Sequence, residues 1–154
     1  MLTMIKSEPV LTVGVALPLT ILYRQSLAEM VAAGEYAYPH SDITQNHFPV
    51  EPGKPAVEAV LVHLNRNASY ELVLDGMKCQ GLCPGTMVEG LAFGSQYPEI
   101  QRQFPILMLG SVWADPWYCG FVGCLWGNPA MRSLFLSWIG NRWCEGFRFL
   151  AIRV

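Results

Sequence analysis

Arg132-Ser133-Leu134-Phe135-Leu136-Ser137-Trp138-Ile139-Gly140-Asn141-Arg142-Trp143 opens with a period of two. Leu134, Leu136 and Trp138 fall on one side, and Ser133, Phe135, Ser137, Ile139 and Asn141 fall on the other. Successive side chains of a strand leave opposite faces, so this alternation predicts an apolar scaffold face and a chemically mixed face left for display. Further on, Phe147-Arg148-Phe149-Leu150-Ala151-Ile152-Arg153-Val154 is apolar on both faces apart from its arginines, which predicts a strand in the interior of a sheet. From Phe104 onward come the tryptophans Trp113, Trp117, Trp126, Trp138 and Trp143, spaced by recurring glycines at Gly110, Gly120, Gly123, Gly127, Gly140 and Gly146. That spacing predicts short strands joined by tight loops.

Upstream of this third the signals are helical as well as extended. Leu11, Val13, Val15, Leu17, Leu19, Ile21 and Tyr23 alternate with smaller or polar residues, predicting a half-buried strand that Pro18 interrupts or places on an edge. Ser26-Leu27-Ala28-Glu29 is a capping box for a short helix that Gly34 ends. Ala37 to Pro55 has little periodicity and reads as a long loop. A β-branched strand is expected over Ala59–Leu64 and a helix over Tyr70–Met77 with Ser69 as N-cap. Thr86-Met87-Val88-Glu89 is a second capping box, opening a helix to about Gly94.

Composition narrows the function classes. The 154 residues suffice for one domain with a hydrophobic core. Ten Lys and Arg against 12 Asp and Glu give a net charge of −2, so no positive field exists to hold a nucleic-acid backbone. Only 14% of residues are charged and 52% are hydrophobic, far from the signature of disorder. The apolar run from Pro9 to Tyr23 contains Pro18 and follows Glu8, and reads as a structural strand rather than a signal peptide or a membrane span. Cys79, Cys83, Cys119, Cys124 and Cys144 are odd in number and contain no C-x-x-C pair, so neither a closed disulfide framework nor a zinc site with His40, His47 and His63 is expected.

Several stretches fall together in a recognisable order: Leu91-Ala92-Phe93-Gly94-Ser95-Gln96-Tyr97-Pro98-Glu99-Ile100-Gln101-Arg102-Gln103-Phe104-Pro105-Ile106, then Leu109-Gly110-Ser111-Val112-Trp113, then Arg132-x-Leu134-x-Leu136-x-Trp138, Trp143 and Phe147–Arg153. Over roughly residues 58–154 the chain resembles the variable proteins of diversity-generating retroelements. The resemblance implies an α+β, C-type lectin-like fold with two helices and a loop-rich, mainly antiparallel sheet, with residues 1–57 as an extension packed on that core. It also implies a variable region at about residues 110–150, rewritten by error-prone copying of a template at adenines. The positions it assigns to the variable ligand-binding surface are Trp117, Tyr118, Cys119, Phe121, Ser133, Phe135, Ser137, Ile139, Asn141, Cys144 and Gly146, with Leu134, Leu136, Trp138 and Trp143 holding the frame. The implied function is ligand binding, receptor- or adhesin-like, toward a protein target, with no catalysis and no cofactor. Calcium-dependent sugar binding is not expected, because Asp115 and Glu145 are the only acids in this third and calcium needs six to eight hard oxygens.

An alternative stays open. Trp113-Ala114-Asp115-Pro116-Trp117-Tyr118-Cys119, with Pro129, Arg132 and Gly146-Phe147-Arg148, also resembles the C-terminal part of formylglycine-generating enzymes. That resemblance implies a copper oxidase in which Cys119 and Cys124 hold cuprous ion, whose softness favours thiolates. Gly123 and Leu125 stand where that family flanks its second cysteine with basic residues.

Overall fold

Local chemistry sets the helix starts. A computed structural model describes residues 10–154. Lys6, Glu8 and Pro9, on which the reading of the N-terminal run partly rests, lie outside the described residues. Helix α1 (Leu27–Ala33) opens with Ser26 Oγ accepting from the Glu29 amide while the Glu29 carboxylate accepts from the Ser26 amide. Helix α3 (Met87–Gln96) repeats the device with Thr86 and Glu89. Between them α2 (Tyr70–Cys79) starts from Ser69, whose hydroxyl accepts from the Leu72 amide. Each cap satisfies amides that the first turn leaves without partners.

The strands are β1 (Leu11–Val13), β2 (Leu17–Thr20), β3 (Ala56–Leu64), β4 (Leu82–Pro84), β5 (Ile106–Ala114), β6 (Gly120–Gly127), β7 (Arg132–Trp138) and β8 (Arg148–Arg153). They form one open, mainly antiparallel sheet in the order β1-β3-β8-β5-β6-β7, with β2 also on β3 and β4 also on β8. The doubly apolar C-terminal strand is therefore interior, antiparallel to β3 and parallel to β5. The N-terminal alternation, expected as one strand, forms two. The break falls at Gly14, whose amide donates to Leu61 O and where a Cβ would sit 3.0 Å from that same oxygen. Pro18 lies inside β2 on the sheet margin, where its missing donor costs nothing.

Two apolar layers sandwich the sheet. One face packs Ile106, Met108, Leu125, Leu134 and Leu150 against α1 and α3. Residues 10–57 join this layer through Leu19, Ile21, Leu27, Met30, Tyr36, Ile43 and Phe48. The other face packs Leu107, Val122, Cys124, Phe149 and Ala151 against Val73 and Met77 of α2 and against Trp143.

This second layer corrects the expectation of a free mixed face on β7. Ser133 and Ser137 are buried, and Phe135 and Ile139 are half-buried against the α2 layer. Alternation fixes which side chains share a face, while the element that covers that face comes from elsewhere in the chain. Here it is α2 and the return loop from Ile139 to Phe147. Trp138 departs in the other direction: it sits beyond the helices on the α1–α3 side and is 48% exposed. Among the described residues no helix is long and apolar enough to cross a membrane.

Candidate functional site

The β5–β6 hairpin has a backbone tied down without help from the side chains at its tip. Asp115 carries the ties: its amide donates to Cys119 O, its carbonyl accepts from the Tyr118 amide, and its carboxylate Oδ1 accepts from the Trp117 and Cys119 amides, all at 2.9 Å. A side chain that bonds the backbone two residues on holds a turn as a backbone bond would. Trp117 and Tyr118 are left 83% and 92% exposed at the tip. Tyr118 adopts φ 62°, a left-handed conformation that crowds its Cβ against its own carbonyl.

That strain carries a prediction. Asn tolerates the left-handed region far better than Tyr, so Tyr118→Asn is expected to stabilise the protein by about 0.5–1 kcal/mol. Thermal unfolding should shift upward by roughly 2 °C. A decrease would mean that the exposed ring contributes packing of its own.

Below the tip lies an aromatic stack. His47 lies flat on Trp113, with ring centroids 4.0 Å apart and planes 13° apart, and Phe121 follows at 5.9 Å from Trp113. The His47 Nδ1 is 2.8 Å from the Asp42 carbonyl, which can only accept, so the ring carries its proton there. Trp138 pairs with Phe121 across β6 and β7 and continues the same face. His47 also borders a cleft of about 530 Å³ whose walls include Tyr23, Glu51, Lys54, Glu89 and Arg153.

The sequence-assigned positions separate into three groups. Trp117, Tyr118 and half-buried Cys119 form the hairpin tip, and Phe121 lies just below it. Ile139 and exposed Asn141 begin the return loop at the same end of the sheet, since the Ile139 amide donates to Gly120 O. Cys144 and Gly146 are exposed farther along that loop, which runs back the length of the sheet because β8 starts beside the start of β5. Ser133, Phe135 and Ser137 belong instead to the packed interior or its margin. Ser137 Oγ accepts from Trp143 Nε1 at 3.1 Å and from Asn141 Nδ2 at 3.2 Å, which is a structural duty. The assigned set omits His47 and Trp113 and includes neither Val112 nor Trp126, exposed at 43% and 39%. Gly140 was the available signal for Trp138: a Cβ there would lie 2.3 Å from the indole.

The copper pair does not fit. Cys119 directly precedes β6 and Cys124 lies five residues on within it, so at about 3.3 Å per residue their Cα atoms stand about 16 Å apart. Cys124 is fully buried between Leu107 and Phe135, and desolvation pushes its thiol far above the usual range. Among the described residues no cluster of three or more His, Cys, Asp or Glu is placed to hold a metal ion. Comparison of the chain with protein-family models, with curated proteins and with solved structures finds no match.

Proposed function

We propose that the protein is a ligand-binding receptor whose hypervariable surface is diversified by a retroelement and carried on a C-type lectin-like scaffold. The observation that carries this reading is the hairpin tip, where Asp115 and the sheet hold the backbone and leave the Trp117 and Tyr118 side chains without structural work. A surface that must accept arbitrary residues needs that separation between what holds the chain and what meets the ligand. Large exposed aromatics on a rigid turn also suit a protein target, because they supply contact area at little entropic cost.

The scaffold part of the proposal draws support from connectivity. Strand β3 pairs antiparallel with β8, α2 and α3 lie between them in sequence, and β5, β6 and β7 extend the sheet from the other side of β8. Two helices and a mainly antiparallel sheet within residues 58–154 are the outline that the resemblance leads one to expect. With Ser133 and Ser137 buried and Phe135 and Ile139 packed against the α2 layer, the display surface narrows to the tip and the return loop: Trp117, Tyr118, Cys119, Phe121, Asn141, Cys144 and Gly146.

Sequencing the 3′ end of the gene across a natural population, codon by codon from Gly110 to Val154, tests the reading. Variation is expected at those positions, with Asp115, Arg132, Leu134 and Trp143 constant. A uniform 3′ end, or variation that strikes Arg132 and Trp143 as often as Trp117, would overturn it.

A further inference from the structure

Strand β5 takes a detour on its way to the hairpin tip. It pairs with β6 from Ile106 to Met108 and again at Trp113 and Ala114, and between these stretches Leu109, Gly110, Ser111 and Val112 stand against Val122 alone. The extra length reaches the start of α3, where the Gly110 amide donates to Gly85 O and Ser111 Oγ accepts from the Met87 amide. Such a bulge bends its strand and re-aims whatever follows. Strand β8 accompanies β5 only at Ile106 and Leu107. The outer hairpin therefore stands on two unequal arms. Its β6 arm is backed by β7, through the pairing of Phe121 with Trp138. Beyond the detour no strand among the described residues backs the β5 arm.

A bracket from the N-terminal part of the chain takes that place. Within residues 42–48, Ile43 and Phe48 are buried in the α1–α3 layer, and Gln45 Oε1 accepts from the Leu27 amide at the first turn of α1. The Thr44 carbonyl accepts from the amides of His47 and Phe48. His47 leaves this bracket with its ring already oriented, because Nδ1 donates to the Asp42 carbonyl. Packing and a hydrogen bond together lock a supporting side chain in the way a precise binding site requires. The ring lies face to face with Trp113, 4.0 Å between centroids. Trp113 stands two residues before Asp115, whose bonds to Trp117, Tyr118 and Cys119 hold the tip.

We infer that His47 is a positioning residue for the hairpin tip: its stack on Trp113 latches the β5 arm to the bracket and fixes the direction in which Trp117 and Tyr118 project. The consequence for binding rests on the reading of the tip as the ligand surface. A ligand then meets a tip aimed by a residue more than sixty positions upstream of Trp113, outside the region of about 110–150. The tip can change its side chains while the latch that aims it stays the same.

Amide hydrogen exchange of the full chain, followed residue by residue by nuclear magnetic resonance, tests the inference. In His47→Ala the amides of Asp115, Tyr118 and Cys119 are expected to exchange about three- to tenfold faster, the effect of losing one aromatic stack, with β3 and β8 unchanged. His47→Gln keeps a donor for the Asp42 carbonyl without the ring and should loosen the tip to the same degree. His47→Phe keeps a ring without the donor and should return the tip to within about twofold of the unaltered protein. Should His47→Phe not fold, the other two variants decide. Unchanged tip exchange in His47→Ala and His47→Gln overturns the inference. So does an equal rise at every amide, which would make His47 a contributor to overall stability alone, or rescue by Gln and not by Phe. No ligand enters the measurement, so its failure removes the latch and leaves the role of the tip standing. A uniform 3′ end of the gene would remove that role and leave the latch.

Discussion

Replacing Arg132 with Met is expected to lower stability by about 3–5 kcal/mol, the range seen when one side of a buried charged network is removed. Arg132 is 8% exposed, and among the described residues no carboxylate pairs with its guanidinium. Its donors instead reach the Gly34 carbonyl at the end of α1, the Gly94 carbonyl in the last turn of α3, and Gln101 Oε1. Carbonyls at helix C-termini carry the negative end of the helix dipole, so a cation is favoured there. The Tyr36 ring lies against the guanidinium with its centroid 5.0 Å from the central carbon, and burial pushes the Tyr36 phenol up to about 12.

A methionine of similar volume keeps the packing and strands these acceptors. They are mostly backbone atoms, so no second substitution can remove them, unlike the partners of a side-chain ion pair. Lysine should recover little, because one ammonium cannot reproduce the planar fork that spans two helices. Urea titration is the measurement: the midpoint should fall with little change of slope. A loss below about 1 kcal/mol would mean that water replaces the guanidinium at these carbonyls.

Trp143→Ala is expected to cost about 3–5 kcal/mol, the usual range for a buried large aromatic. Trp143 is 2% exposed, meets Phe149 edge-on at 5.7 Å, and donates its indole N–H to Ser137. Its backbone exchanges both bonds with Ala68, at 2.7 and 2.9 Å, which fastens the return loop to the start of α2. The neighbours Arg142 and Cys144 are exposed, and alanine at either should stay within about 0.5 kcal/mol. Three adjacent alanine variants, read by thermal unfolding, thus separate the residue that holds the loop from those that the loop displays. Equal effects at all three would remove that distinction.

Much of the scaffold was legible in the sequence because its signals are local. Ser26 and Glu29, Thr86 and Glu89, and Ser69 announce the helix starts through bonds made within four residues. Phe149, Leu150, Ala151 and Ile152 announce an interior strand because both of its faces must be apolar. The fate of the two faces of β7 was not legible. Ser133 and Ser137 resemble surface residues until Gln101 accounts for the Ser133 carbonyl and Trp143 for the Ser137 hydroxyl, and both partners are set by tertiary packing. Trp138 resembles core for the opposite reason: its apolar neighbours at Leu134 and Leu136 lie under helices that end before reaching it. The spacing of Cys119 and Cys124 suggested a pair only while the segment had no conformation, and an extended strand drives them apart.

The position of β8 bears on how the chain acquires this structure. It lies between β3 and β5, so its residues join residues made some ninety and some forty positions earlier. Until Arg148–Arg153 leaves the ribosome, β3 and β5 each present an unpaired inner margin, and the two apolar layers lack their shared middle. The sheet therefore closes only once β8 has been made. A fold so dependent on distant pairings closes slowly, over about milliseconds to seconds, and an arrested nascent chain lacking β8 is a ready client for chaperones.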